Sequence, residues 1–189
     1  MSFIVQVTIS IVIYFFIRIF SKSERSLYVS VCFSAFAYIL IFLSINGLSN
    51  TNLNDAHKMV TGLSLFFLFV AYNEIIILER RVRKIKKGQI INNETLPIEK
   101  GYKIVFKILG IGLTLLSLVA VSGLSMEFVY STELIFKAIF TFIAWLIYLV
   151  TLIGIKFFNF STRYATRGLF IAMWAVLAAY YMNSYLVNL

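Results

Sequence analysis

Two side chains in this sequence, His57 and Glu74, have a type and setting that invite chemistry. His57 is the only histidine among 189 residues and stands in the run NDAHKM, just ahead of a long apolar stretch. A neutral imidazole there can ligate a metal or a haem iron, and Met59 or Met126 offers a thioether as a second axial ligand. A solvated histidine at a helix mouth accounts for the same residue. Glu74, beside Tyr72 and Asn73, is the one carboxylate well inside an apolar run. Ionisable groups in lipid are costly, so Glu74 is a functional candidate. It lies about 9 Å from Arg80 along a helix axis, close enough to pair with a basic residue or to snorkel, and a structural ion pair stands beside a proton or substrate role. Glu133 and Lys137, spaced i, i+4, read as a helix-surface pair. No zinc motif, carboxylate dyad, Ser-His-Asp set or phosphate-cradling glycine loop is present, which points away from an enzyme. Cys32 stands alone, so there is no disulfide framework or C-x-x-C pair, and it reads as a small buried hydrophobe.

The elements that must position these residues are membrane helices. The chain is 61% hydrophobic and 13% charged, with a mean hydropathy of +0.92, outside the composition of water-soluble domains. Nine Gly and one Pro give little punctuation for a β architecture. The apolar runs also exceed the ~10-residue alternating segments of a membrane barrel. A spanning helix needs about 20 apolar residues, and six stretches qualify: 3–20, 26–48, 59–78, 104–124, 134–155 and 168–186. The expected fold is all-α, a single integral membrane bundle of six transmembrane helices. The first run has no basic segment before it and no small-residue cleavage site after it, so it reads as a retained helix. Residues 79–103 form the one long connection, too polar for lipid and roomy enough for partner contacts.

Charge orients the bundle. All but Lys58 and Lys137 of the 17 basic residues fall in or near the connections after the first, third and fifth helices. By the positive-inside rule those connections are cytoplasmic and both termini face outward. The net charge of +9 then reports topology and contact with anionic lipid headgroups. No motif that reads nucleic acid accompanies it. Tyr180, Tyr181 and Tyr185 sit where the last helix meets the outer interface. Gly110, Thr114, Ser117 and Val121 run along one side of the fourth helix and predict close approach of another helix. Neither an inverted repeat nor a pair of broken helices is visible, which weakens a transporter reading.

From His57 onward, three stretches in order resemble the cytochrome c assembly family, and within it the short YpjD-like inner-membrane proteins. His57 opens a helix that ends in LERRVRKIKK (78–87), similar to a family histidine whose helix ends in an E-R-R-rich basic loop. LPIEKGYKIVFKILGIGLTLLSLVAVSGL (96–124) is similar to the family's L-P-x-(L/I)-E segment and the helix after it. KAIFTFIAWLIYLVTL (137–152), followed by a basic turn holding Arg163 and Arg167, resembles the family's A-W-x-x-Y helix and its turn. The likeness covers about two-thirds of the chain. It implies a multi-pass protein of the bacterial plasma (inner) membrane that associates with haem or supports a partner that does. His57 would be the outer haem ligand, with Trp145 and Tyr148 packing around the site and Arg163 and Arg167 meeting haem propionates or lipid phosphates. The family's later histidines have no counterpart, Lys107 and Lys156 standing near those positions, so a second ligand would come from a partner. Beside this stand a cofactor-free accessory or scaffold subunit of a larger membrane complex and a proton-coupled carrier using Glu74. The expected partners are membrane lipid and other membrane subunits, without nucleic acid.

Overall fold

In the computed structural model the chain is all-helical, with residues 3–20, 24–46, 53–88, 98–126, 132–157 and 162–186 described. Six helices follow in order: α1 (Phe3–Phe20), α2 (Glu24–Asn46), α3 (Leu53–Lys86), α4 (Ile98–Met126), α5 (Thr132–Phe157) and α6 (Thr162–Leu186). Four of them are long and apolar enough to cross a membrane: α2, α3, α4 and α5. The apolar part of α1 is shorter, Val5–Ile19. Helices suit such a chain because each satisfies its own backbone polar groups where no water is present to do so.

Helices α3, α4, α5 and α6 pack in a ring, α3 on α4, α4 on α5, α5 on α6 and α6 back on α3. The hairpin of α1 and α2 lies against the outside of α3, so α3 is the element that both layers share. The inner stripes recur at helical spacing. In α1 they are Val7, Ser10 and Tyr14, and in α2 Leu27, Val31, Ser34 and Tyr38. Large apolar side chains point outward instead, among them Val12, Phe16 (64% exposed), Phe33, Phe36 and Leu40. Serines inside and phenylalanines outside reverse the pattern of a water-soluble bundle and suit a surface solvated by lipid.

Several hydroxyl groups inside the helices bond back to their own backbone. Ser10 donates to the Gln6 carbonyl (3.1 Å), Ser30 to Leu27 (2.8 Å) and Thr151 to Ile147 (2.8 Å). Such bonds remove most of the penalty of carrying a donor into an apolar medium. Cys32 is exposed on α2 and is not the buried hydrophobe its residue type suggests, because its position falls outside the inner stripe of Val31 and Ser34.

The connection expected over 79–103 is largely helix. α3 continues to Lys86, 34 residues in all and about 51 Å long, well beyond a ~30 Å hydrocarbon core. Residues 79–86 are rich in strong helix formers. Glu79 accepts a 2.6 Å bond from Arg83 one turn on, and Arg83, Lys84 and Lys86 occupy the last turn, where cations favour the negative end of the helix. Gly88 ends the element. It adopts φ +71° and donates from its N–H to the Ile85 carbonyl at 2.9 Å, the left-handed cap that glycine adopts without steric cost. Helix α4 begins at Ile98, and residues 89–97 lie outside the described residues.

Of the small-residue stripe of α4, Ser117 meets α5 by accepting from Trp145 Nε1, and the rest does not pack as the spacing suggests. Val121 is 64% exposed and Thr114 is exposed, and a Cβ on Gly110 would meet nothing within 4 Å. Close approach occurs at Gly112, where the Tyr148 hydroxyl of α5 fills the space a Cβ would take. The buried face of α4 runs instead through Val105, Leu109, Leu116 and Val119.

Candidate functional site

At the end of the molecule where α3 begins, His57 is half-buried and its Nδ1 lies 2.8 Å from Ser122 Oγ of α4. The Ser122 hydroxyl donates to the Val119 carbonyl at 3.1 Å. The ring donates to Ser122 in its Nδ1–H tautomer and accepts from the Ser122 hydroxyl in its Nε2–H tautomer. Gly123 packs against the ring, since a Cβ there would meet His57 Cε1 at 3.3 Å. The Thr61 hydroxyl donates to the His57 carbonyl at 2.7 Å. The imidazole is therefore held by two helices.

Trp145 also bonds a serine of α4, from the other side. Its Nε1 donates to Ser117 Oγ at 2.9 Å and its ring stacks on Phe142 with centroids 6.1 Å apart. Ser117 and Ser122 are five residues apart, about 140° around the helix and about 7.5 Å along it, so α4 stands between Trp145 and His57. Tyr148 is buried against Gly112. Arg163 and Arg167 are exposed in the first two turns of α6, at the opposite end of the molecule from His57. Next to them the Thr166 hydroxyl donates to Glu79 Oε2 at 2.9 Å, and Arg163 is within electrostatic reach of the same carboxylate. Glu79 lies 22 residues beyond His57 on one helix, about 33 Å away. The structure therefore does not bring His57, Trp145, Arg163 and Arg167 around one ligand. Among the described residues no three His, Cys, Asp or Glu side chains form a metal cluster. The side chains of Met126, Glu133, Lys137, Tyr180, Tyr181 and Tyr185 lie outside the described residues.

Glu74 is the centre of the most connected polar cluster. It is 6% exposed on α3 and meets α1. Arg18 Nε donates to Oε1 at 3.0 Å and Nη2 to Oε2 at 3.5 Å, while the Tyr14 hydroxyl donates to Oε1 at 2.6 Å. Asn73 Nδ2 in turn donates to Tyr14 Oη at 3.4 Å. The basic partner is Arg18, not the neighbouring Arg80, which is exposed. Arg80 follows Glu74 by six residues, which sets its side chain about 240° around α3 from the carboxylate. Tyr14 and Arg18 were readable as a pair one turn apart on α1, but only the packing of α1 against α3 shows which carboxylate they serve. A cavity of about 20 Å³ adjoins the cluster and is lined by Arg18, Leu27, Glu74, Arg81, Gly101 and Val105, among others.

No protein-family model, curated protein or solved structure matches this chain. The site's own geometry is thus what bears on function.

Proposed function

We propose that the chain is a six-span membrane protein of the bacterial plasma membrane that acts, without catalysis, as a haem-associated or supporting subunit of the cytochrome c assembly type. The observation that carries this reading is the imidazole of His57, whose Nδ1 is held 2.8 Å from Ser122 Oγ. An outer hydrogen bond of this kind orients a ligating histidine and raises the basicity of its other nitrogen. His57 would hold the iron through Nε2, and bound haem would supply redox and electron-transfer chemistry. The chain offers half of a bis-histidine set, because His57 is its only histidine. A partner subunit supplies the other ligand. Arg163 and Arg167 take no part in that site and meet lipid phosphate instead.

The distance between His57 and the two arginines favours a second reading, a cofactor-free scaffold whose helix faces contact a larger complex. An absorbance spectrum of the detergent-purified protein, expressed with added haem, separates the two. On the haem reading a Soret band is present, His57→Ala removes or shifts it, and Ser122→Ala displaces it without loss of folding. A wild-type protein that stays colourless, alone and with any co-purifying subunit, leaves the scaffold.

Topology has its own test. With Cys32 replaced, cysteines at Asn50 and Ser131 should react with a membrane-impermeant thiol reagent in intact cells, and one at Gln89 should not. Labelling at Gln89 alone would invert the orientation.

A further inference from the structure

Buried polar side chains recur at every turn on both helices of the α1–α2 hairpin. On α1 they are Gln6, Ser10 and Tyr14, four residues apart, and Arg18 continues the series to Glu74. On α2 they are Ser30, Ser34 and Tyr38, again four apart. The two series match in depth. Counted back from Phe20 on α1 and forward from Glu24 on α2, Tyr14 and Ser30 each stand six residues from the connection, Ser10 and Ser34 ten, and Gln6 and Tyr38 fourteen. That sets three polar layers at about 9, 15 and 21 Å along the helices. Among the described residues α1 packs only on α2 and α3, so the layers lie inside the bundle. Ser10 and Ser30 donate to carbonyls of their own helices and keep lone pairs with which to accept. Gln6 Oε1 and Ser34 Oγ are buried with no hydrogen-bond partner among the described residues. An unmet polar atom in an apolar medium is costly, and polar residues that only glue membrane helices together do so by pairing such atoms.

We infer that the hairpin holds a file of single waters that carries protons from the side of the membrane where α1 begins to Glu74 and on to the basic end. Adjacent layers are about 6 Å apart, the span that one water bridges with two hydrogen bonds of about 2.8 Å. Buried waters settle where polar groups otherwise go unsatisfied. Gln6, three residues into α1, opens the file. Tyr14 ends it, since its hydroxyl donates to Glu74 Oε1 at 2.6 Å and accepts from Asn73. A hydronium in the file gives its proton to Tyr14 Oη as the tyrosine's own proton passes to Glu74 Oε1, leaving a water and a neutral carboxyl. The proton then leaves to water in the cavity of about 20 Å³ that Glu74 lines with Arg18 and Arg81, where one molecule fits. The carboxylate and its pair with Arg18 re-form. That pair closes the file to other cations, because a proton bonds covalently to the carboxylate and releases the guanidinium, which sodium does not do.

The inference rests on α1 spanning the membrane, as in the six-span reading, and not on haem. The test is proton uptake by phosphatidylcholine vesicles that contain the purified full chain and a trapped pH dye, driven by a potassium diffusion potential set with valinomycin. Vesicles with the wild-type protein should acidify faster than protein-free vesicles and take up no sodium. Gln6→Leu, which closes the entrance with a side chain of similar volume, and Glu74→Gln should each return uptake to the protein-free rate. Thr151→Ala removes a buried hydroxyl of α5, which does not touch the hairpin among the described residues, and should leave uptake unchanged. Gln6→Leu deletes an unmet polar atom, so a packing role alone predicts an equal or higher unfolding midpoint with uptake untouched. Wild-type uptake at the protein-free rate, uptake indifferent to Gln6→Leu, or an equal loss in Thr151→Ala would overturn the path. Sodium uptake would overturn it in favour of a water-filled pore. A cysteine at Ser2 separates failure of the six-span reading, since it labels from the same side as Asn50 where α1 spans and from the side of Gln89 where it does not.

Discussion

Arg18→Ala should unfold in detergent far more readily than the wild type, by about 3–5 kcal/mol, because it strands the Glu74 carboxylate in an apolar setting. Both partners are nearly buried, with side chains 9% and 6% exposed, and Tyr14 donates to the same carboxylate oxygen. Glu74→Gln should cost less, since a neutral amide keeps an acceptor for Tyr14 and Arg18 while removing the charge that lipid disfavours. The double variant Arg18→Met/Glu74→Met should recover most of the loss, because an apolar pair of similar volume replaces a buried ion pair at little or no net cost. Unfolding midpoints of the four proteins measure this directly. A mild Arg18→Ala loss, or a double variant no better than Arg18→Ala, would mean that the pair is not what holds α1 to α3. Separately, a Glu74→Gln protein that folds normally but loses all function in the cell would assign the carboxylate to proton-coupled transport instead of structure.

The same cluster shows how far the sequence reaches. Apolar runs and the side of the chain on which basic residues fall were enough to place six helices, and the bounds of the first agree with α1 to the residue. Hydropathy reports where lipid begins and not where helix ends. It therefore closed the third helix at Leu78, although Glu79, Arg83 and Gly88 carry the pairing and capping signals that extend it to Lys86. The burial of Glu74 was legible, because an ionisable residue inside an apolar run stands out. Its partner was not, since Arg18 is 56 residues away and pair identity depends on how the α1–α2 hairpin docks. At His57 the residue type was informative and the Ser122 contact was silent, because any of several small polar residues on α4 had the right character. The stripe of Gly110, Thr114, Ser117 and Val121 misled in part, since Ser117 does meet α5 through Trp145. Small residues permit close packing without requiring it, and on this helix Thr114 and Val121 lie on the outward face.

Gly112 is where close packing is required, and a methyl group there should be felt. A Cβ would meet the Tyr148 hydroxyl and lie 3.2 Å from Tyr148 Cζ, so Gly112→Ala must push a fully buried ring of α5. Overpacking of this kind costs about 1–3 kcal/mol. Tyr148→Phe removes the clashing oxygen, and that oxygen is buried without a hydrogen-bond partner among the described residues. Deleting an unpaired buried hydroxyl is neutral or stabilising, so Tyr148→Phe alone should leave the unfolding midpoint unchanged or raised. The combination Gly112→Ala/Tyr148→Phe should regain most of what Gly112→Ala loses, with a remnant from the 3.2 Å contact to the ring carbon. A double-mutant cycle should give a coupling of at least about 1 kcal/mol, as expected for residues in contact. Strict additivity would show that Tyr148 does not lie over Gly112. A Tyr148→Phe protein destabilised as much as Gly112→Ala would show that its hydroxyl has a partner inside the bundle.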